Sequence, residues 1–242
     1  MYDLIVLGAT FAAAGIASHF QKRCLVIEPS ARAGYEFFGA YSFGTNYEKA
    51  AVTPEAQALQ EAMLPENGYI YGKDRLIYPY FEGADILFAT HLVSTEQTEG
   101  GVLCTVHGVN GFSTYNAKAV VDTRSSDAIS ISKTYNLLIE SMEVPFFAGA
   151  TTEKTGHPHH YTLRCPVPLS VTFCEAREIA RKYLSLFSEN QKLILSADVF
   201  DYQIMPDFPK QSGNSFCLPS KAYENPVLAF DAGLLWAKEV QL

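Results

Sequence analysis

A run of small residues near the start of the chain is followed, twenty residues after its glycine, by an isolated acid. The run is Gly8-Ala9-Thr10-Phe11-Ala12-Ala13, and the acid is Glu28. Backbone N–H groups that such a turn exposes at the start of a helix bind phosphate, because the helix dipole is positive there. A carboxylate at this distance along the chain accepts hydrogen bonds from ribose hydroxyls. The spacing therefore predicts that this region binds the ADP part of a dinucleotide.

Two apolar runs and one helical pattern are predicted to position these groups. Residues 3–7 and 24–27 are rich in branched side chains, which is typical of strands buried on both faces. Residues 12–20 continue at helical spacing between them. The order of strand, turn, helix and strand predicts a Rossmann-like unit. Thr10 and Ala13 replace the second and third glycines of the usual G-x-G-x-x-G motif, so a unit that holds no nucleotide remains an alternative.

The first 36 residues resemble FAD-dependent oxidoreductases of the glutathione-reductase-like superfamily, flavoproteins with two dinucleotide-binding domains. One branch opens with a strand, Gly-Gly-Thr-Pro-Ala-Gly, and a second strand that ends in Glu-Pro and a nearby Gly-Gly. The residues that match this layout are Gly8-Ala9-Thr10-Phe11-Ala12-Ala13, Glu28-Pro29 and Gly34-Tyr35. The resemblance implies that FAD binds here, with its pyrophosphate at the first of these segments and its ribose at Glu28.

A second segment resembles the point where this superfamily returns from a three-stranded β-meander to the nucleotide sheet. The meander is predicted to turn at Glu99-Gly100-Gly101 and Asn110-Gly111, because glycine supplies positive φ. Ala117-Lys118-Ala119-Val120-Val121-Asp122 matches the returning strand, whereas the Thr-Gly-Asp that follows in the family is altered to Thr123-Arg124-Ser125. The resemblance implies cofactor contacts from Asp122, Thr123 and Arg124, and from the backbone of Val93 to adenine.

The C-terminal stretch resembles the signature with which these flavoproteins close the FAD site, Pro-Asn-Leu-Phe-x-x-Gly-Asp followed by a helix. Asn225-Pro226-Val227-Leu228 and Phe230-Asp231-Ala232-Gly233 match it, with phenylalanine at a glycine position. The resemblance implies that Asp231, Ala232 and Gly233 meet the ribityl end of FAD. A C-terminal strand and helix that only complete the sheet are the alternative.

The whole chain is predicted to be α/β, with a Rossmann-like three-layer FAD/NAD(P)-binding fold, the β-meander and a small β-rich second lobe. The dinucleotide-binding domain is predicted over residues 1–132 and 220–242, and a small substrate or cap lobe over residues 133–219. Other predicted elements are helices at 53–63 and 175–187, strands at 85–90 and 192–199, a hairpin of 69–71 with 75–78, and a loop at 206–219.

Composition sets which partners are expected. The 242 residues carry a formal net charge of −8, which argues against nucleic acid and anionic membranes because both attract basic surfaces. No apolar run reaches the roughly 18 residues of a membrane-spanning helix, and the first strand starts too early to leave room for a signal peptide. Five scattered cysteines without C-x-x-C spacing favour a reduced, cytoplasmic setting. No pattern indicates an oligomeric state.

One histidine-rich segment, His157-Pro158-His159-His160, has the residue type that binds metals. It lacks a cysteine or carboxylate partner at metal-ligand spacing. We therefore expect a surface turn here and no metal site.

The predicted function is oxidoreduction of a small molecule, with hydride passing to or from FAD. The cofactor carries that chemistry, so no catalytic side chain is assigned. One alternative is a degenerate flavoprotein-like scaffold that has lost its cofactor and serves as a binding or structural protein. The other is an NAD-dependent dehydrogenase, because NAD has the same ADP moiety that Glu28 would bind.

Overall fold

The computed structural model describes residues 1–63, 72–205 and 207–242. Within these residues the helices are α1 (Phe11–Phe20), α2 (Tyr35–Phe38), α3 (Pro54–Met63), α4 (Phe173–Leu184) and α5 (Pro226–Glu239). The strands are β1 (Tyr2–Leu7), β2 (Cys24–Ile27), β3 (Asp85–Leu87), β4 (His91–Thr98), β5 (Gly101–Gly108), β6 (Gly111–Asp122), β7 (Ser130–Ser141), β8 (Thr151–Lys154), β9 (His160–Val167), β10 (Gln191–Ser196), β11 (Asp201–Ile204), β12 (Lys210–Ser212) and β13 (Ser215–Cys217). None of the described helices has the length and apolar character needed to cross a bilayer.

The first sheet has eight strands and is parallel at its centre. Strands β3, β2, β1, β6 and β13 lie side by side in parallel. Strand β12 pairs antiparallel with β13, while β4 and β5 continue from β6 as an antiparallel meander. Helices α1 and α5 cover one face of the sheet and the meander covers the other, so all four residues of β2 are buried. The predicted three-layer α/β fold and both turns of the meander are confirmed.

Helices α1 and α5 cross with their backbones in contact. A Cβ atom at Gly15 would lie 2.1 Å from the carbonyl oxygen of Phe230, and one at Gly233 would lie 2.0 Å from the carbonyl oxygen of Ala12. Only glycine permits so close an approach at both positions. The crossing therefore fixes the position of α1 against α5 on this face of the sheet.

The second sheet is antiparallel and forms the small β-rich lobe that the sequence predicts. Its strand order is β10-β7-β9-β8, and β11 also pairs with β7. Helix α4 begins at a capping box between Thr172 and Glu175. It buries Ala176 and Ala180 in a cluster with Tyr135 of β7.

Two local predictions are wrong. Residues 75–78 lie in a 3₁₀ helix (Lys73–Phe81) and not in a hairpin, since Ile77 and Phe81, four residues apart, both point into the core. The proposed partner strand, residues 69–71, lies outside the described residues. The predicted loop at 206–219 contains β12 and β13, and β13 extends the parallel sheet beside β6.

The second lobe is hydrogen-bonded to the segment that follows β2. Asn136 Nδ2 donates to the Ala40 carbonyl at 2.7 Å, and Thr162 Oγ1 donates to the Tyr41 carbonyl at 2.8 Å. The Asp198 N–H donates to the carbonyl of Gly39 at 3.0 Å. These contacts hold the turn between β10 and β11 close to the carboxyl ends of the first sheet.

Candidate nucleotide-binding site

A cleft of about 380 Å³ opens at the carboxyl ends of β1 and β2, the edge at which open α/β sheets bind ligands. Phe200 and Tyr202 of the second lobe line its far wall. The volume lies within the usual range of small-molecule sites. The sequence-predicted residues that line this cleft are Ala9, Thr10, Glu28, Pro29 and Arg124.

The carboxylate of Glu28 is fixed against the turn that precedes α1. Its Oε2 accepts a hydrogen bond from the Ala9 N–H and its Oε1 accepts one from the Ser30 N–H, both at 2.7 Å. The Gly8 N–H donates to the Ile27 carbonyl at 2.8 Å and so ties the turn to the end of β2. The side chain is 8% exposed and reaches the cleft. Its position opposite the helix start is the one that the spacing predicts.

Thr10 caps α1 and turns its side chain inward. Its Oγ1 accepts the Ala13 N–H at 3.1 Å and donates to Thr123 Oγ1 at 2.8 Å. Thr123 is fully buried and donates in turn to the Leu7 carbonyl at 2.9 Å. The threonine at the second glycine position of the motif therefore joins β1 to β6 rather than standing over the helix start.

Arg124 covers the glycine of the turn. Its Nε and Nη2 donate to the two carboxylate oxygens of Asp122 at 2.9 and 2.8 Å. Gly8 has a φ of +91°, and a Cβ there would lie 2.6 Å from Arg124 Cγ. In the altered Thr123-Arg124-Ser125 segment, the Arg124 side chain thus forms an ion pair with Asp122 beside the turn. Both oxygens of the Asp122 carboxylate accept hydrogen bonds from this arginine.

A second carboxylate, which the sequence analysis missed, lies at the start of α1. The Phe11 N–H donates to Glu36 Oε1 at 2.8 Å, and Ser220 Oγ donates to the same oxygen at 2.7 Å. The Ala12 N–H points to Ser220 Oγ at 3.4 Å. The N–H groups of Ala9, Phe11, Ala12 and Ala13 therefore all have acceptors within the protein.

The other oxygen of Glu36 is enclosed. Oε2 has no hydrogen-bond partner among the described residues, although the side chain as a whole is partly exposed. Burial raises the pKa of Glu36 to about 7, in opposition to the hydrogen bonds from Phe11 and Ser220 and to the positive charge of Lys221. The available sequence signal was a lone acid within Tyr35-Glu36-Phe37-Phe38.

This raised pKa predicts a pH-dependent stability. Between about pH 4.5 and about pH 7 the folded protein keeps a proton on Glu36 that the unfolded chain has released, so the free energy of unfolding falls as the pH rises. This pH-dependent fall in the free energy of unfolding is at most about 3 kcal/mol, and it should be absent from the Glu36→Gln variant, which has no carboxyl group to titrate. Urea unfolding of both proteins at about pH 5 and about pH 8 measures it. If the wild type and Glu36→Gln differ in stability by the same amount at both pH values, the prediction is contradicted.

The C-terminal residues that the resemblance assigned to FAD lie away from this cleft. Asn225 Oδ1 accepts the Leu228 N–H at 2.9 Å, and Pro226 is the first residue of α5, so the segment starts a helix instead of ending a strand. Asp231 lies inside α5, where its carboxylate accepts the N–H groups of Val52 and Thr53. Ala232 lines a different cavity with Asp231, and Gly233 packs on α1.

Val93 and Gly34 are also absent from the cleft lining, as are Gly8, Phe11, Ala12, Ala13, Asp122 and Thr123. Val93 is 54% exposed at a bulge in β4, on the outer part of the meander. Gly34 donates its N–H to the Ala9 carbonyl at 2.8 Å and lies over the ring of Phe11. Ser220, which was not predicted, follows the last parallel strand and reaches the start of α1.

The histidine-rich segment forms the predicted turn. The His160 N–H donates to the His157 carbonyl at 3.2 Å, and the two imidazole rings stack with centroids 3.6 Å apart. Among the described residues, no group of three or more histidine, cysteine or acidic side chains is arranged to hold a metal ion.

Several solved structures share the fold of this chain. No family model and no curated sequence matches the chain. Three matching structures each align with 98% of this chain. OxyS anhydrotetracycline hydroxylase from Streptomyces rimosus has 14% identity and a TM-score of 0.64 over 60% of its own chain, and glycine oxidase from Geobacillus kaustophilus has 13% identity and a TM-score of 0.60 over 94% of its own chain. The ternary complex of aklavinone-11 hydroxylase with FAD and aklavinone has 13% identity and a TM-score of 0.54 over 61% of its own chain. The chain spans about three fifths of the length of the two hydroxylases.

At these identities the likeness establishes the fold. The chain has the Rossmann-like fold of FAD-binding oxidoreductases, with a second β-rich sheet. This agrees with the fold that the resemblance in the sequence implies. Membership of the glutathione-reductase-like branch remains a prediction.

The residues of the cleft suit FAD at one end and not at the other. Glu28 lies where a carboxylate would bind ribose. At the start of α1, however, the carboxylate of Glu36 already occupies the Phe11 N–H and would repel a pyrophosphate. Ser220, rather than an aspartate, follows the last strand of the sheet. As they are arranged here, the residues do not fit the phosphate end of FAD.

Proposed function

We propose that the chain is a flavin-dependent oxidoreductase that acts on a small molecule. The observation that carries this proposal is the position of Glu28, held by two backbone N–H groups inside the cleft of a flavoprotein fold. A carboxylate at this position accepts hydrogen bonds from the ribose of an adenine dinucleotide. FAD would supply the redox chemistry, hydride transfer to or from the substrate, while the protein supplies binding and orientation.

The two lobes have separate roles in this proposal. Residues 1–132 and 220–242, together with β12 and β13, form the dinucleotide-binding part. The remainder of 133–219 forms a cap that faces the substrate, since Phe200 and Tyr202 line the cleft from that side. The turn from Gly8 to Ala13 would surround the pyrophosphate only after the side chain of Glu36 has moved.

A cofactor-free relative that serves as a binding or structural protein is the second candidate. The hydrogen bond from the Phe11 N–H to Glu36 favours it, because the phosphate position is filled from within the chain. The bidentate pair of Arg124 with Asp122 favours it as well, because the positive charge of the arginine is already matched and its Nε–Nη2 edge is taken.

Titrations of the purified protein with FAD and with NADH, side by side, distinguish these functions. Flavoprotein function predicts that FAD raises the melting temperature and that flavin fluorescence changes on binding, with NADH as the weaker ligand. A response to NADH alone would favour an NAD-dependent dehydrogenase. No response to either dinucleotide would favour the cofactor-free candidate.

Glu28 provides a residue-level prediction. The Glu28→Ala variant should lose FAD affinity about ten- to a hundredfold, because two charge-assisted hydrogen bonds to ribose are lost. Fluorescence titration measures the loss, and the melting temperature without ligand shows whether the Ala9 turn has survived. Glu99→Gln, an exposed site in the turn between β4 and β5, is the matched control and should bind FAD like the wild type.

A further inference from the structure

Glu36 has an unusual combination of contacts. One of its oxygens lies at the dipole-positive start of α1, where it accepts hydrogen bonds from the Phe11 N–H and the Ser220 hydroxyl. The other is enclosed and has no hydrogen-bond partner in the part of the chain that the structure describes. A carboxylate at a helix start is favourable, since the unpaired N–H groups there attract negative charge. The cost of burying its other oxygen indicates that this contact is not optimised for stability alone.

We propose that Glu36 is a specificity-determining residue, an internal anion that competes with the phosphates of any nucleotide entering the cleft. The inference rests on the proposed function, namely that the cleft takes the adenosine part of a dinucleotide. It adds that the cleft discriminates by charge. An uncharged ribonucleoside reaches Glu28 without disturbing Glu36, whereas a diphosphate must displace it.

The neighbouring charges support this discrimination. The two cations beside the helix start are already paired, Arg124 with Asp122 and Lys221 with Asp201, where Nζ and Oδ1 lie 2.8 Å apart. Glu28, on the other side of the turn, adds a second negative charge. A diphosphate placed here would meet two carboxylates and no uncommitted cation among these residues, so Coulomb repulsion would weaken its binding.

Removal of the Glu36 side chain should therefore change phosphate binding and leave nucleoside binding as it was. Isothermal titration of adenosine and of ADP into the wild type, Glu36→Ala and Glu36→Gln at about pH 8, where the Glu36 carboxyl group is ionised, provides the test. The affinity for ADP should rise about ten- to a hundredfold in Glu36→Ala, since the Phe11 N–H becomes available to a charged acceptor. Glu36→Gln should lie between the other two proteins, because it removes the charge but keeps an acceptor.

The control is Glu82→Gln, an exposed residue that removes the same formal charge elsewhere on the surface. It should leave the ratio of the two affinities at the wild-type value. A merely structural role of Glu36 would change the melting temperature but not this ratio. If Glu36→Ala does not fold, Glu36→Gln alone decides.

The outcomes separate this inference from the function on which it rests. If adenosine and ADP bind the wild type and the Glu36 variants with the same ratio, the inference is overturned and the proposed function stands. If neither ligand binds any of the proteins, both are overturned. A selective gain for ADP in the Glu36 variants supports the inference, and binding of adenosine to the wild type supports the ribose contact on which the proposed function rests.

Discussion

Replacement of Gly15 by alanine is expected to destabilise the protein by about 3 kcal/mol or more. The new Cβ would lie 2.1 Å from the Phe230 carbonyl oxygen and 2.7 Å from the Leu234 nitrogen, both of which are backbone atoms of α5. Neither can rotate away, so the two helices must separate along their whole contact. The helical preference for alanine over glycine acts in the opposite direction, but it contributes only about 1 kcal/mol.

Denaturant unfolding measures this change. Gly100→Ala is the matched control, because a Cβ there meets nothing within 4 Å and the backbone does not have a positive φ. The control should unfold within about 0.5 kcal/mol of the wild type. A Gly15→Ala protein as stable as the control would show that α1 and α5 do not cross as described.

Asp231→Ala is expected to cost about 3–5 kcal/mol of stability, although the sequence resemblance assigned this residue to the cofactor. Its carboxylate is 4% exposed and accepts three hydrogen bonds, from the Val52 N–H at 2.6 Å and from the N–H and hydroxyl of Thr53 at 3.0 and 2.6 Å. It thereby joins the start of α3 to the middle of α5. Loss of the carboxylate leaves the buried N–H and hydroxyl groups of Thr53 without this acceptor.

Thermal and urea unfolding of Asp231→Ala measure this cost, and Asp207→Ala provides the control. Asp207 is 87% exposed and pairs only loosely with Lys210, so its loss should change stability by less than about 1 kcal/mol. If Asp231→Ala keeps wild-type stability and instead loses flavin binding, the assignment from the resemblance is right and the structural role is wrong.

The central part of the fold could be predicted because its signals are local. Residues 4–7 of β1 and all of β2 are continuous apolar runs, and they are buried on both faces as that pattern predicts. The turns of the meander follow from glycine at fixed positions. Glu28 could be placed opposite the start of α1 because it follows β2, which runs parallel to β1 and ends at the same edge of the sheet.

The C-terminal stretch lies away from the cleft because it carries two local signals. Asn225-Pro226 resembles part of a cofactor-binding signature, but it is also an N-cap followed by proline at the first helical position, and capping decides its structure. The last parallel strand is β13, which has only three residues and no detectable alternation. Nothing in its sequence marks it as a partner of β6.

Glu36 could not be placed from the sequence because its contacts are tertiary. Phe11 lies 25 residues before it and Ser220 lies 184 residues after it. A resemblance that aligns motifs one segment at a time does not show that an acid from one segment occupies the N–H groups of another. The contact between Glu36 and the start of α1 can therefore be recognised only from the three-dimensional structure.

We propose that this cleft binds an adenine dinucleotide and that the Glu36 carboxylate occupies the position of its phosphates. A crystal structure of the Glu36→Ala variant grown with FAD tests it most directly. We predict that the adenosine ribose lies on the Glu28 carboxylate and that the pyrophosphate accepts the Phe11 N–H. FAD bound elsewhere on the protein, or a start of α1 that remains closed to it in this variant, would contradict the claim.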